Sequence, residues 1–236
     1  MKQEITSPVR RGIIRWIVQA ILGLVAYGLI LFLAAGRIDW LWGWAQLVVL
    51  AAFLAAHPLL LLPINPELLA ERQKGFRDEG VKEWDKWLAG LAAGSVLPLW
   101  VVAGLDVRFG WTGTVPIIIQ LASLLANILG YGLFVWAMVS NAFFSEGVRI
   151  QEERGHRVAE NGPYRYVRHP GYAGAILSGI ATPLLLGSLW ALIPAAAMVV
   201  LYVMRTGLED RTLLEELPGY TEYAQQTRFR LLPGAW

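Results

Sequence analysis

One segment of the chain, 161–174, combines residue types that are often used for binding and for proton chemistry. It reads NGPYRYVRHPGYAG and runs directly into a long apolar stretch. A membrane helix does not need a polar cluster of this kind at its entrance, whereas a site built at the membrane surface does. We therefore expect a binding or catalytic site at the membrane surface.

Proline and glycine in this segment predict its local backbone. Pro170 disfavours helical backbone at His169, so a helix should begin just after the histidine. The free N–H groups near Gly171 and Tyr172 would then form a helix start that favours anions. Glycine at these positions also lets a ligand approach the backbone closely.

A second group of charges follows near the end of the next apolar stretch. Arg205 and Glu209 are four residues apart and hence on one helix face. Each group also has a simpler interpretation. Arg205 and Glu209 could form an ordinary helix ion pair worth ~0.3–0.5 kcal/mol, and we expect Arg165 and Arg168 to contact lipid headgroups or to fix topology. Segment 161–174 and the pair of Arg205 and Glu209 lie beside the same short hairpin, which favours a shared functional role for them.

The composition excludes several classes of protein and of site. Hydrophobic residues make up 56% of the 236 residues and charged residues 16%, against roughly 25% charged in a typical soluble domain. The chain has no cysteine, which excludes disulfides, thiolate metal sites and a cysteine nucleophile. His57, His156 and His169 lack a zinc-binding spacing, so no metal is expected. A net charge of +2 gives no indication of nucleic-acid binding.

The elements that must position these residues are apolar segments. They lie at about 14–35, 41–62, 86–105, 115–140 and 173–204. The first four are long enough to span ~30 Å of hydrocarbon as helices. Gly187-Ser188 divides the fifth into two short pieces, which predicts a tight helical hairpin that either spans or dips into the bilayer. The predicted fold is an all-α polytopic membrane bundle, with four N-terminal spans in 1–140 and a C-terminal region, 141–236, that carries the hairpin and the site.

The distribution of positive charge predicts the orientation. With the N-terminus in the cytoplasm, the outer turns hold only Arg37 and Arg108 of the 20 lysines and arginines. This distribution requires the fifth apolar run to return to the cytoplasmic side of the membrane, where it begins. Both termini are therefore predicted to be cytoplasmic. We expect an integral protein of a bacterial-type inner (cytoplasmic) membrane whose site faces the cytosol.

Three polar positions near or within the spans have structural interpretations. Asn65 followed by Pro66 is typical of a helix start, which predicts a short interfacial helix. His57 and Asn127 lie within spans and should be satisfied by backbone carbonyls of neighbouring helices. The apolar runs hold no chain of carboxylates, which weighs against a pump or a proton-coupled carrier.

The segment from Gly162 to Gly174 resembles the G-x-Y-x-x-x-R-H-P-x-Y-x-G signature of the isoprenylcysteine carboxyl methyltransferase family, and phospholipid methyltransferases carry a similar pattern. Residues 209–213 (EDRTL) resemble that family's E-E-x-x-L, with aspartate as the second acid. Residues 219–223 (GYTEY) resemble a compacted form of its tail. The resemblance covers about 145–233. It implies methyl transfer from S-adenosyl-L-methionine at the membrane–cytosol boundary, without a Rossmann domain.

The resemblance also implies roles for individual residues. Arg205 would meet the carboxylate of the acceptor and act with Glu209 as the catalytic pair. The segment 149–155 does not align cleanly, which leaves one edge of the implied cofactor pocket unassigned. The implied cofactor contacts are His156, Arg157, Val158, Ala159, Tyr164, His169, Pro170, Gly171, Tyr172 and Glu209.

The chemistry that these residue types support agrees with the resemblance. A carboxylate acceptor is already ionised at pH 7 and needs no general base, so the protein has mainly to align two substrates and exclude water. The faces of Tyr164 and Tyr172 could attract a sulfonium, and Arg205 could hold a carboxylate through paired hydrogen bonds. We therefore expect a lipophilic acceptor, either a small molecule or a prenylated group, that is reached among membrane lipids.

Three alternatives remain open at the level of sequence. A phospholipid N-methyltransferase would have to deprotonate an amine, and only His169, His156 and Glu209 are candidate bases. A nicotinamide-dependent membrane reductase of the sterol-reductase type would resemble H-P-N-Y-x-G-E, but Gly171 and Ala175 stand at the asparagine and glutamate positions. A scaffold without turnover would have no need of the intact signature.

Overall fold

The computed structural model describes residues 6–75 and 80–236, and this part of the chain is built from helices and turns. The α-helices are α1 (Ser7–Ala35), α2 (Leu41–Ile64), α3 (Pro66–Lys74), α4 (Glu83–Phe109), α5 (Ile117–Ser140), α6 (Pro170–Leu186), α7 (Leu192–Glu216) and α8 (Tyr220–Gln226). Short 3-10 turns occupy Glu152–Arg154 and Gly162–Arg165. Lys2 and Arg77, which belong to the predicted cytoplasmic charges, lie outside the described residues.

Within the described residues, five helices are long and apolar enough to cross a membrane: α1, α2, α4, α5 and α7. Many of their large apolar side chains face outward, as lipid contact requires. The all-helical membrane bundle predicted from the sequence is therefore confirmed at this level. Membrane orientation and the division at residue 140 stay predictions.

The fifth apolar run folds as the predicted hairpin. α6 has 17 residues and ends at Gly187, which adopts φ 78° and ψ 27°, a left-handed backbone that glycine tolerates best. The N–H of Ser188 donates to the carbonyl of Pro183 at 2.9 Å and closes the turn. α7 then returns with 25 residues. The first turn of α6 and the C-terminal half of α7 consequently lie at the same end of the bundle.

Small residues set the distance between α5 and α6. A Cβ added at Gly130 would lie 2.7 Å from the carbonyl oxygen of Gly174, and one added at Gly174 would lie 2.5 Å from the carbonyl oxygen of Gly130. Glycine at both positions therefore lets the two backbones touch. This close crossing fixes the start of α6, and with it the signature segment, against the end of α5.

Asn127 and His57, two buried polar residues inside the bundle, donate or share hydrogen bonds with nearby groups. Asn127 donates to the backbone carbonyl of Ser178 on α6 at 3.4 Å, as expected. It also donates to two side-chain oxygens, Thr182 Oγ1 at 2.8 Å and Gln46 Oε1 at 3.2 Å. His57 differs from the prediction. It pairs with the carbonyl of Phe53 in its own helix, at 2.9 Å from Nδ1, because that carbonyl lies one turn earlier on the same face.

The short helix α3 forms as the asparagine–proline pair predicts. The side chain of Asn65 accepts a hydrogen bond from the N–H of Leu68 at 3.1 Å. Leu68 and Leu69 bury their side chains against α1 and the end of α2. Arg72, one turn further on, is thereby turned inward and is 8% exposed.

Candidate active site

A cavity of about 290 Å³ lies where the start of α6 meets α7, α4 and the segment that connects α5 to α6. Most of the residues that the resemblance singled out line it. Pro170 is buried at the first position of α6 and is not among the lining residues. Those that do line the cavity are His156, Arg157, Val158, Ala159, Tyr164, His169, Gly171, Tyr172, Arg205 and Glu209.

The start of α6 is fixed by the C-terminal segment of the chain. His169 has φ −126° and ψ 59°, outside the helical region, as the following proline predicts. Its backbone N–H donates to the carbonyl of Arg230 at 2.9 Å. Its ring nitrogen Nε2 lies 3.2 Å from Oδ1 of Asp210 on α7. His169 is thus held from two sides and is 5% exposed.

Asp210 is the centre of a buried polar network beside the cavity. Arg168 donates to both carboxylate oxygens at 2.7 and 2.8 Å, Arg230 donates at 2.8 Å, and the hydroxyl of Tyr220 donates at 2.9 Å. The expectation that Arg168 contacts lipid headgroups is therefore wrong, because its guanidinium is buried against Asp210. Arg165, by contrast, is exposed.

The hairpin brings Tyr172 on α6 against Arg205 and Glu209 on α7. The hydroxyl of Tyr172 donates a short hydrogen bond to Oε2 of Glu209. The guanidinium carbon of Arg205 lies 5.3 Å from the centre of the Tyr172 ring, within the range of a cation–π contact. A carboxylate, an aromatic face and a cation therefore share one wall of the cavity.

Arg205 has a partner on α4 that the sequence did not indicate. Asp85, with no exposed surface, accepts from Nε at 2.6 Å and from Nη2 at 3.0 Å. Asp85 also accepts the backbone N–H of Val148 at 2.7 Å. This carboxylate joins α4, α7 and the α5–α6 segment. An acidic residue at the start of an apolar span gives little indication of an ion pair, because its partner Arg205 lies 120 positions away in the chain.

His156 forms another side of the cavity. Its ring lies against Phe143, with centroids 4.6 Å apart, and its Nδ1 accepts the N–H of Gln151 at 3.3 Å. Burial, with the charges of Arg149 and Arg154, lowers the pKa of His156 to about 4. The imidazole is therefore neutral at pH 7.

Tyr164 is held in the cluster below the cavity. Its hydroxyl accepts a hydrogen bond from Nδ2 of Asn141 at 3.3 Å, and its carbonyl accepts one from the hydroxyl of Tyr223 at 2.7 Å. Leu217 and Tyr220 pack beside it. Burial raises the pKa of the Tyr164 hydroxyl above its usual range, so the hydroxyl stays neutral.

The edge that the signature left unassigned is formed by the segment between α5 and α6. Phe143, Phe144, Glu146 and Arg149 line the cavity there. Phe144, Glu146 and Arg149 contact Arg72 or Glu71 of α3, so the local sequence gives no indication of their positions.

Among the residues described, no cluster of three or more histidine, aspartate or glutamate side chains could hold a metal ion.

Comparison with known proteins agrees with this geometry. Residues 121–215 match the family model of the isoprenylcysteine carboxyl methyltransferase (ICMT) family. Among solved structures, the fold is similar to that of the eukaryotic intramembrane Ras methyltransferase ICMT, with a TM-score of 0.51 and 17% identity over 98% of this chain and 95% of that one. No curated protein gave a significant sequence match.

The helical bundle, with a cavity beside a short hairpin, defines the class: an integral membrane protein whose fold is similar to that of an intramembrane methyltransferase. Residues 121–215, which include the signature, α6 and most of α7, are similar to the isoprenylcysteine carboxyl methyltransferase family.

Proposed function

We propose that the protein is an S-adenosyl-L-methionine-dependent methyltransferase that forms a methyl ester on the carboxylate of a lipophilic, isoprenylcysteine-like acceptor. The observation that carries this proposal is the shared cavity wall of Tyr172, Arg205 and Glu209 beside the signature segment. The family match over residues 121–215 supports the same activity.

The lining of the cavity fits such a cofactor. When bound, S-adenosyl-L-methionine would supply a methyl group on a positively charged sulfur, and a carboxylate that takes this methyl becomes an ester and leaves a neutral thioether. Glu209 offers a carboxylate to the positive part of the molecule, and Tyr172 offers an aromatic face. Further cofactor contacts are proposed for residues that line the cavity, His156, Arg157, Val158, Ala159, Tyr164, His169 and Gly171. Pro170, which does not line it, is proposed to act by fixing the start of α6.

The acceptor is proposed to be an acid because the cavity supplies the cation Arg205 and because His156 there is a weak base. Asp85 fixes the guanidinium of Arg205 in one orientation, so this charge can attract a carboxylate without first being ordered. A carboxylate loses no proton when it is methylated. His156, with a pKa of about 4, is too weak a base to deprotonate an ammonium group efficiently at pH 7.

The site is proposed to face the cytosol of a bacterial-type inner membrane. The start of α6, the end of α7 and α8 lie at one end of the bundle, and most lysines and arginines lie in the connections at that end. A lipophilic acceptor would then reach the cavity from the bilayer while the polar cofactor enters from water.

Calorimetry on folded protein in detergent tests the cofactor assignment. Glu209→Gln should weaken binding of S-adenosyl-L-methionine by about tenfold or more, since it removes the charge that faces a cation. Glu222→Gln, an exposed change on α8, is the matched control and should bind as wild type does. Absence of cofactor binding by folded wild-type protein, or protection by NADPH in its place, would overturn the proposal.

Methyl transfer itself can be followed with isotopically labelled S-adenosyl-L-methionine. Wild-type protein should label N-acetyl-S-farnesylcysteine, and mild alkali should release that label because a methyl ester hydrolyses. Label that appears on phosphatidylethanolamine and resists alkali would instead identify N-methylation of a phospholipid.

A further inference from the structure

Arg72 lies between the cavity described above and a second one. The second cavity, of about 440 Å³, is lined by residues of α1 to α7, and aromatic and aliphatic side chains form much of its wall. Arg72, Phe134, Glu146 and Tyr202 line both cavities. Arg72 comes from α3, outside the segment that matches the family, and the signature gives no indication of it.

The guanidinium of Arg72 is buried and incompletely hydrogen-bonded. Nη1 donates to the carbonyl of Phe144 at 3.2 Å, and the guanidinium carbon lies 5.4 and 5.8 Å from the ring centres of Phe144 and Phe134. Nε has no hydrogen-bond partner among the residues that the structure describes. A buried N–H without a partner is costly, and an arginine cannot remove that cost by losing its charge.

Glu146 is a weak partner for this guanidinium. Its Oε1 lies 3.5 Å from Nη2 of Arg72, whereas charge-assisted bonds of this kind are typically about 2.7–2.9 Å. The Glu146 side chain is half-buried, with 34% exposure, so it has room to move. Its backbone carbonyl accepts from Nη2 of Arg205. Glu146 therefore lies between the two arginines.

Arg205 and Arg72 differ in how firmly they are held. Asp85 binds two nitrogens of Arg205 at short distances, and this fixes its charge within the first cavity. Arg72 faces both cavities, and its Nε has no hydrogen-bond partner within residues 6–75 and 80–236. Arg72 therefore has the geometry of a second ligand-binding cation beside Arg205, since a carboxylate would supply the hydrogen bond that it lacks.

We propose that Arg72 binds the carboxylate of the lipophilic acceptor at the junction of the two cavities, and that the Glu146 carboxylate occupies this position until the acceptor displaces it. The proposal rests on the proposed function for the identity of the acceptor. A carboxylate at Nε and Nη2 would form the paired geometry that arginine favours. The apolar part of the acceptor would then lie in the second cavity, with its acid group directed at Arg205.

The test compares binding of an acid with binding of its neutral isostere. The probes are N-acetyl-S-farnesylcysteine and its carboxamide, titrated into the full chain in detergent with cofactor present. Wild-type protein should bind the acid about tenfold more tightly than the amide. Arg72→Gln should bring this ratio close to one while the affinity for S-adenosyl-L-methionine changes less than about twofold. Arg72→Lys should give an intermediate ratio, because a lysine keeps the charge without the planar fork.

Two further variants separate binding from folding. Glu146→Gln should tighten binding of the acid several-fold and leave the amide unaffected, because the competing carboxylate is gone. Arg211→Gln removes an arginine of α7 that does not line either cavity and pairs with Glu215, and it should leave the acid-to-amide ratio unchanged.

The outcomes distinguish this proposal from the proposed function. If the acid-to-amide ratio of Arg72→Gln equals that of wild type, the role of Arg72 is overturned. If Arg72→Gln fails to fold, unchanged ratios in both Arg72→Lys and Glu146→Gln overturn it. A wild-type ratio near one also overturns it. Preference for the acid that depends on Arg72, without any methyl transfer, would keep the carboxylate site and refute the proposed reaction.

Discussion

Single residues of the site carry charge in buried pairs. Asp85 with Arg205 and Asp210 with Arg168 each join a carboxylate that has no exposed surface to a guanidinium that is less than a tenth exposed. Such pairs contribute little net stability compared with apolar packing, yet breaking one is strongly unfavourable. Their value here is geometric, because each holds one element of the site against another.

The first prediction concerns Asp85. Asp85→Asn removes the charge that faces the Arg205 guanidinium and should cost about 3–5 kcal/mol of stability, which lowers the unfolding temperature in detergent. Asp39→Asn, in the exposed pair of Arg37 and Asp39, is the control and should unfold at the wild-type temperature. Equal unfolding temperatures for both variants would show that Asp85 does not hold α7 in place.

The second prediction concerns His156 and pH. Its pKa of about 4 in the folded protein lies below the ordinary 6.5, so the unfolded chain binds a proton first. Its contribution to stability is full above pH 6.5 and is lost as the pH falls towards 4. The unfolding temperature of His156→Gln should therefore fall less steeply than that of wild type between pH 6.5 and 4. Parallel curves for the two proteins would contradict this.

At the scale of elements, the crossing of α5 and α6 should be sensitive to single methyl groups. Gly130→Ala places a Cβ 2.7 Å from backbone atoms of α6, so it should separate the helices and weaken binding of S-adenosyl-L-methionine. Gly132→Ala, with no atom within 4 Å of the added Cβ, is the control on the same helix. Calorimetry and thermal unfolding of both variants provide the measurement.

The C-terminal segment is attached to the site through Asp210. In Asp210→Asn, Arg168 and Arg230 lose their shared carboxylate, so residues 227–236 should detach and trypsin should cut at Arg228 and Arg230 faster than in wild type. Glu215→Gln, which alters the exposed pair with Arg211, should be cut at the wild-type rate. Unchanged cleavage of Asp210→Asn would mean that other contacts hold the segment.

For the whole molecule, the distribution of charge makes the orientation testable. The chain has no cysteine, so a single introduced thiol reports its own side of the membrane. A maleimide that cannot cross the bilayer should label Thr114→Cys in intact spheroplasts. It should label Arg11→Cys and Thr221→Cys only after the membrane is opened. All three positions are exposed, so the reverse pattern would refute cytoplasmic termini.

Much of the molecule follows from the sequence alone. Runs of apolar residues determine the spans, because a helix that satisfies its own backbone is the natural solution in lipid. Gly187 and Pro170 determine the two ends of α6, since each restricts the backbone locally. The signature indicated which segment forms the site, because the residues of the signature are contiguous in the chain.

The tertiary structure decided which distant charges meet. Asp85 and Arg205 are 120 positions apart, and Arg72 reaches Phe144 across 72. No local pattern encodes such pairs, because a buried charge selects its partner only after the helices have packed. Arg168 shows the same limit. Its sequence position suggests a lipid contact, while the fold buries it against Asp210. The sequence therefore determined the helices and the signature, and the packing of α3, α4 and α7 around it decided the electrostatics of the site.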